Sequence, residues 1–238
     1  MTEEEFITEL TKLNIEVTPE KLEQLKEYAS FLLEYNQHTN LTAIRDINEV
    51  YLKHFYDSLT IVKAINLKEV NTLLDIGTGP GFPGMVLKII YPHLQITLMD
   101  SNNKKINFLK ALAQELNLNV EIIYGRAEEF IVNRREYYDI VTSRAVASLD
   151  ILAELSIPYV KTNGLFVAMK SNYQEELQAT LPILKKLDSK VEKIEKFSLP
   201  KIEANRAIIC IRKEKATNHK YPRNYNQIKN ASKLSCKK

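Results

Sequence analysis

The chain has no tryptophan, two cysteines, four histidines and six glycines in 238 residues. Each shortage closes a route. Two cysteines cannot form a disulfide framework, and the scattered histidines lack the ligand spacing of a zinc site, so no metal is expected. Cys210 lies inside RAIICIRK, which reads as a buried strand, and is expected as a core thiol; Cys236 is expected as an idle surface thiol. No apolar run approaches the roughly 18 residues that a membrane span requires. The start, MTEEEFITEL, is acidic where a signal peptide would be basic and then apolar. A cytoplasmic chain with no membrane partner is the expectation.

What is present fits a globular protein of one domain with an appendage, at 45% hydrophobic and 26% charged residues. The net charge of +3 conceals an asymmetry: residues 1–50 carry 4 Lys/Arg against 11 Asp/Glu, and residues 201–238 carry 11 against 2. The basic end reads either as a solvated, mobile tail or as a phosphate-binding arm.

Residues 1–66 read as a helical extension. Thr18-Pro19-Glu20 is a helix start followed by Leu22, Leu25, Ala29, Leu32 and Leu33 at helical spacing, and Asp46 opens a second run. From residue 72 short apolar runs alternate with amphipathic stretches. Strands are expected at 72–76, 95–100, 119–124, 138–143, 164–169, 190–197 and 205–212, with helices near 83–91, 102–117, 149–160 and 173–188. The pattern predicts an α/β fold: a doubly wound, mostly parallel seven-stranded sheet. Its last two strands, too close for a helix between them, should form an antiparallel hairpin at the sheet edge. The division expected is 1–66, then 67–213, then a basic tail over 214–238. No heptad seam runs through the helical part, so a monomer is the expectation.

Four of the six glycines fall in LLDIGTGPGFPG, residues 73–84, between a strand and a helix. Ligands of open α/β sheets bind at such a turn, beyond the carboxyl ends of the strands. A dinucleotide fingerprint would need glycine at position 82, where Phe82 stands, and a Walker loop would need Gly-Lys-Ser/Thr. What remains is an acid, Asp75, then Gly77, Gly79 and Gly81, with no lysine for a phosphate. This resembles the first motif of class I S-adenosylmethionine-dependent methyltransferases. Asp100 ends the second strand, where a carboxylate can accept both ribose hydroxyls, and Ala127 and Glu128 follow the third, where an adenine edge would lie.

NLTAIRD (40–46), YLKHFYDSL (51–59), DIGTGPGFPG (75–84), GRAEEF (125–130), YDIVTSRAVA (138–147) and KYPR (220–223) together resemble the bacterial 16S rRNA (guanine(527)-N(7))-methyltransferase family, also called the glucose-inhibited division protein B family. The resemblance covers nearly the whole chain. It implies a Rossmann-like class I methyltransferase, S-adenosylmethionine as cofactor and 16S rRNA or the small ribosomal subunit as partner, not DNA. It also implies methylation of guanine N7 in the 530 loop, with cofactor contacts from Gly77, Phe82, Ala127, Glu128 and Arg144. The tail departs from the family, whose sequence after KYPR usually continues in a Gly-Pro-Lys-Pro manner; here it reads NYNQIKNASKLSCKK.

Absences bear on the acceptor. The Asn/Asp-Pro-Pro-aromatic run common to amine methylation is missing after the fourth strand, and no cysteine nucleophile lies near these loops. Guanine N7 carries an in-plane lone pair and no proton at neutral pH, so it needs alignment and exclusion of water rather than a general base. Phe82 or Tyr137 can supply stacking to a base turned out of its helix. Arg144, at the end of the fourth strand, can position the acceptor by holding guanine O6 or a phosphate. His54 reads as a packed, hydrogen-bonded residue. Lys53, Arg126, Lys170, Arg206, Lys220 and Arg223 are candidates for RNA phosphates. Removal of the tail is expected to weaken RNA affinity and to leave cofactor affinity unchanged. A small-molecule methyltransferase, a binding module without transfer and an NAD-dependent oxidoreductase are the competing readings.

Overall fold

A computed structural model describes residues 1–144 and 147–235, with side chains described through 233 apart from the two intervening residues. Cys236 and the Ala145-Val146 part of the fourth-strand motif lie outside the described residues. The chain opens with helices α1 (Glu3–Lys12) and α2 (Pro19–Thr39). Thr18 caps α2 as its sequence predicts, and Asn40 ends it in a left-handed conformation, φ 52°. A third run, α3 (47–63), starts at Asp46, whose carboxylate accepts the Glu49 N–H at 3.0 Å. Within it Val50–Tyr56 is π-helical. Such wide turns are rare and concentrate at functional sites. Over seven residues the apolar spacing does not distinguish a π turn from an α turn, so the sequence predicts only a helix here.

The strands are β1 (Thr72–Ile76), β2 (Gln95–Asp100), β3 (Glu121–Tyr124), β4 (Tyr138–Arg144), β5 (Val160–Lys170), β6 (Ser189–Ser198) and β7 (Asn205–Lys213). Helices α4 (Gly84–Ile90), α5 (Asn103–Glu115), α6 (Ala127–Phe130), α7 (Leu149–Ser156) and α8 (Gln174–Lys186) lie between them, and α9 (Tyr225–Ser235) follows. The sheet order is β3-β2-β1-β4-β5-β7-β6, the first five strands parallel and β7 antiparallel to both of its neighbours. The expected hairpin is present, with the last strand on the inside. Burial explains the order: Ala207–Ile211 of β7 is buried throughout, whereas β6 is a run of Lys and Glu that suits an exposed edge.

Alternation along each strand feeds two cores. Leu73, Ile96, Leu98 and Ile140 pack with α4, α5 and the N-terminal helices, so that Phe6, Leu25, Tyr28 and Phe55 share one cluster with the sheet. Leu74, Ile76, Met99 and Val141 face the opposite layer, with Leu149 and Leu152 of α7 and Ile228 of α9. The tail is docked, which departs from the first of its two readings, a solvated, mobile end: Tyr221 and Ile228 are buried against this layer. Among the described residues no helix is long and apolar enough to cross a membrane, and no cluster of potential metal ligands occurs.

Candidate active site

The turn after β1 is built by sterics. Gly77, Gly79 and Gly81 have φ of 70°, 61° and 107°, a region that L-residues with a Cβ avoid. Asp75, wholly buried, ties the turn to α4: its Oδ2 accepts the Thr78 hydroxyl at 2.7 Å and the Gly84 N–H at 2.8 Å. A Cβ on Gly84 would lie 2.3 Å from Leu98 Cδ2, so the helix start and β2 meet only through glycine. Burial pushes the Asp75 carboxyl up to about 6, against its hydrogen bonds and the nearby Arg144 charge. Asp100 supports the same turn from β2: its Oδ2 accepts the Gly79 N–H at 2.9 Å and its Oδ1 the Asn102 N–H at 2.8 Å.

A cavity of about 970 Å³ opens over these strand ends. Of the residues expected at the cofactor, Gly77, Gly79, Phe82, Asp100, Glu128 and Arg144 line it. Ala127 stands beside it, 5% exposed, its carbonyl accepting the Tyr159 hydroxyl at 2.5 Å. The Glu128 carboxylate is nearly buried, 4.0 Å from Arg126. Thr42, His54, Lys105, Leu155 and Tyr225 also line the cavity, from elements distant in sequence.

Arg144 stands at the β4 end of this cavity in a dense setting. Its Nη1 donates to the Lys53 carbonyl at 3.2 Å and to Asp57 Oδ2 at 3.1 Å, and its Nη2 donates to His54 Nδ1 at 3.2 Å. Its guanidinium lies 5.2 Å from the Phe82 ring centroid. Because His54 Nδ1 accepts from Arg144, the imidazole proton resides on Nε2, which donates to Thr42 Oγ1 at 3.1 Å. Burial, with Arg144 beside it, lowers the His54 pKa to about 3, so the ring is neutral at physiological pH. His54 and Tyr28 both stack on Phe82, at centroid distances of 4.3 and 5.4 Å. Phe82 is 2% exposed, so its ring serves packing while the residue borders the cavity.

Asp57 joins this group to β7. Its Oδ1 accepts from Arg206 Nε at 2.9 Å, so one buried carboxylate is shared by arginines of β4 and β7. Sequence reasoning overlooked Asp57. The available signal was an acid inside the apolar run FYDSL, the mark of a buried, partnered charge.

The expected RNA-contacting cations divide. Arg126 is half exposed, its guanidinium 5.3 Å from the Tyr225 ring centroid, and Lys220 is exposed beside Tyr221. Lys53 forms an exposed pair with Glu49. The other three are engaged internally, which their charge alone did not reveal. Lys170 is buried, on the Ala147 carbonyl and Glu176; Arg206 holds Asp57; Arg223 holds the buried Glu154. Tyr137 is exposed at the far edge, packed on Tyr138 and outside the cavity lining.

Comparison with known proteins identifies the family. Ribosomal RNA small subunit methyltransferase G of Bacillus subtilis (strain 168) is 47% identical over 227 residues, which cover 94% of this chain and 95% of that protein. The protein of the same name from Streptococcus gordonii is 46% identical over 228 residues, 94% of this chain and 96% of its own length. Among solved structures, M. capricolum TrmK in complex with S-adenosyl-homocysteine shares the fold at a TM-score of 0.54 and 18% identity, covering 69% of this chain and 70% of its own. The family described as rRNA small subunit methyltransferase G, GidB, matches residues 21–220. The chain belongs to the GidB family of small-subunit rRNA methyltransferases.

Proposed function

We propose that the cavity over β1, β2, β3 and β4 is where this enzyme binds S-adenosylmethionine and presents the methyl group to RNA. The enzyme methylates N7 of guanine 527 in 16S rRNA. The observation that carries the placement is the meeting of the glycine turn, Asp100, Glu128 and Arg144 on one cavity.

The residues present fit this cofactor. Two carboxylates at the strand ends, Asp100 and Glu128, with no lysine in the glycine turn, suit a ligand with a ribose diol and an exocyclic amine. Asp100 uses one bond per oxygen on the turn, which leaves lone pairs for the diol. Gly77, Gly79 and Phe82 would border the methionine part, and Ala127 and Glu128 the adenine. When bound, the cofactor supplies a methyl group made electrophilic by its sulfonium.

The chain's own part is positioning. Guanine N7 needs no base, and His54, which borders the cavity, has both nitrogens engaged within the protein. Arg144 has five N–H donors, and with the described residues it uses three, on a side chain that borders the cavity. We assign the other two to the substrate, at guanine O6 or a phosphate oxygen. N7 lies on the major-groove edge, which in A-form RNA is too deep and narrow to reach, so the target base is presented unstacked. Lys220 and Lys53, whose surface pair with Glu49 is weak, are the cations available to the flanking phosphates, whereas Arg126 faces Tyr225.

The test is transfer of labelled methyl from S-adenosylmethionine to small-subunit rRNA, naked and in subunits, from cells lacking this gene. Borohydride and aniline cleavage maps any N7-methylguanosine. A single label at guanine 527 is expected. Absence of label on both substrates, with cofactor binding intact, overturns the proposal.

A further inference from the structure

The cavity is bordered in part by the C-terminal segment, through Tyr225, where the sequence departs most from the family pattern. This segment is fixed from several sides. Arg135 donates to the carbonyl oxygens of Thr217 and Tyr221, and Glu136 accepts the Thr217 N–H at 2.9 Å. Arg223 sets its backbone N–H, Nε and Nη2 on Glu154, at 3.0, 2.8 and 2.6 Å. Asn224 accepts the Gln227 N–H at 3.0 Å at the start of α9, and Ile228, 2% exposed, anchors the helix. These anchors bracket Tyr225, the first residue of α9.

The Tyr225 ring borders the cavity and faces the guanidinium of Arg126 at 5.3 Å. Arg126 immediately precedes Ala127 and Glu128 after β3, and Asp100 ends the adjacent β2. Sheet order puts these groups at one end of the cavity and Arg144 toward the other, with β1 between. An aromatic face held by a cation, one carboxylate for a diol and one for an amine together suit a purine nucleoside.

We propose that Tyr225 is a cofactor-binding residue: its ring, backed by Arg126, covers the adenosine end of S-adenosylmethionine, and the C-terminal segment thereby completes the cofactor site. The inference rests on the reading that this cavity holds S-adenosylmethionine. It reverses the expectation from sequence that the tail bears on RNA affinity alone.

Calorimetric titration of the full chain with S-adenosyl-homocysteine tests it, alongside the KM for rRNA. Tyr225→Ala is expected to raise the Kd about tenfold, the low end of what stacking a base on an aromatic ring contributes. Tyr225→Phe, which keeps the ring, is expected to stay within about twofold. Arg126→Gln leaves the hydrogen bonds that hold the tail through Arg135, Glu136 and Glu154 in place and is expected to raise the Kd about threefold. Unchanged affinity in both Tyr225→Ala and Arg126→Gln, or a change confined to the KM for rRNA, overturns the proposal. Failure of the unaltered chain to bind S-adenosyl-homocysteine overturns the reading of the cavity itself, and the proposal with it.

Discussion

The two walls of the cavity are made in opposite ways. The turn at 73–84 is local: Asp75, Thr78 and Gly84 bond to one another within nine residues, and its shape comes from backbone that only glycine adopts freely. The segment at 214–235 is held by side chains from far away, Arg135, Glu136 and Glu154, across 69 to 86 residues. The first wall is continuous with the main core through Tyr28, whose hydroxyl donates to the Pro80 carbonyl at 2.5 Å. The second is joined to the other core through Tyr221 and Ile228 and held by polar bonds from Arg135, Glu136 and Glu154. A local, core-linked wall should fail only with the whole fold, whereas a strapped one should open by itself.

The largest effect that would separate the two is expected at Gly81. A Cβ there would lie 2.5 Å from Tyr28 Oη and 2.8 Å from Met85 Cβ, in a backbone at φ 107°. Gly81→Val combines strain with overpacking and should cost about 3 kcal/mol or more of global stability, read by urea denaturation. A loss below about 1 kcal/mol would mean that this turn is no more coupled to the core than the tail is.

What was legible in the sequence follows the same divide. The glycine turn, Asp100 and Glu128 could be placed because strand and helix order determines which loops share one end of a parallel sheet. The hairpin could be placed because the connection 199–204 is too short for a crossover. Charged partners could not. Arg206 and Asp57 are 149 residues apart, and Arg223 and Glu154 are 69 apart, so a sequence displays the cation without its carboxylate. That is why Lys170, Arg206 and Arg223 read as candidates for RNA phosphates, and why the tail read as either a solvated end or a phosphate-binding arm. The usable hint was an acid within an apolar run, as with Asp57 in FYDSL and Glu154 in ILAELS.

A smaller, local effect is expected on the tail. Glu154→Gln removes the charge that holds Arg223, which is one-third exposed and can turn to water. The expected cost is about 1–2 kcal/mol, borne by undocking of the segment rather than by the domain. Amide exchange at 217–228 should quicken about tenfold while the global urea midpoint stays nearly fixed. A matching fall in the global midpoint would show that the tail belongs to the same cooperative unit as the glycine turn.

Acid should separate the walls most gently. His54 stacks on Phe82 and has its pKa lowered to about 3 from 6.5, so the unfolded chain binds a proton that the folded one refuses. Stability from this residue is therefore complete above pH 6.5 and is lost as the pH falls toward 3. Relative to His54→Asn, which cannot titrate but keeps an acceptor for Arg144, the native chain should lose at most about 1.4 kcal/mol per pH unit over that window. Asp75, raised to about 6 from 3.8, acts with the opposite sign: its burial costs most above pH 6 and is relieved on acidification. The difference between native and His54→Asn chains isolates the histidine from it. On the tail, Arg223 keeps its charge throughout, its pKa raised further by Glu154. Denaturation curves from pH 7 to pH 5 should therefore diverge between the native and His54→Asn chains. Parallel curves would mean that His54 is solvated, and that the turn-side wall lacks the buried packing that distinguishes it from the tail.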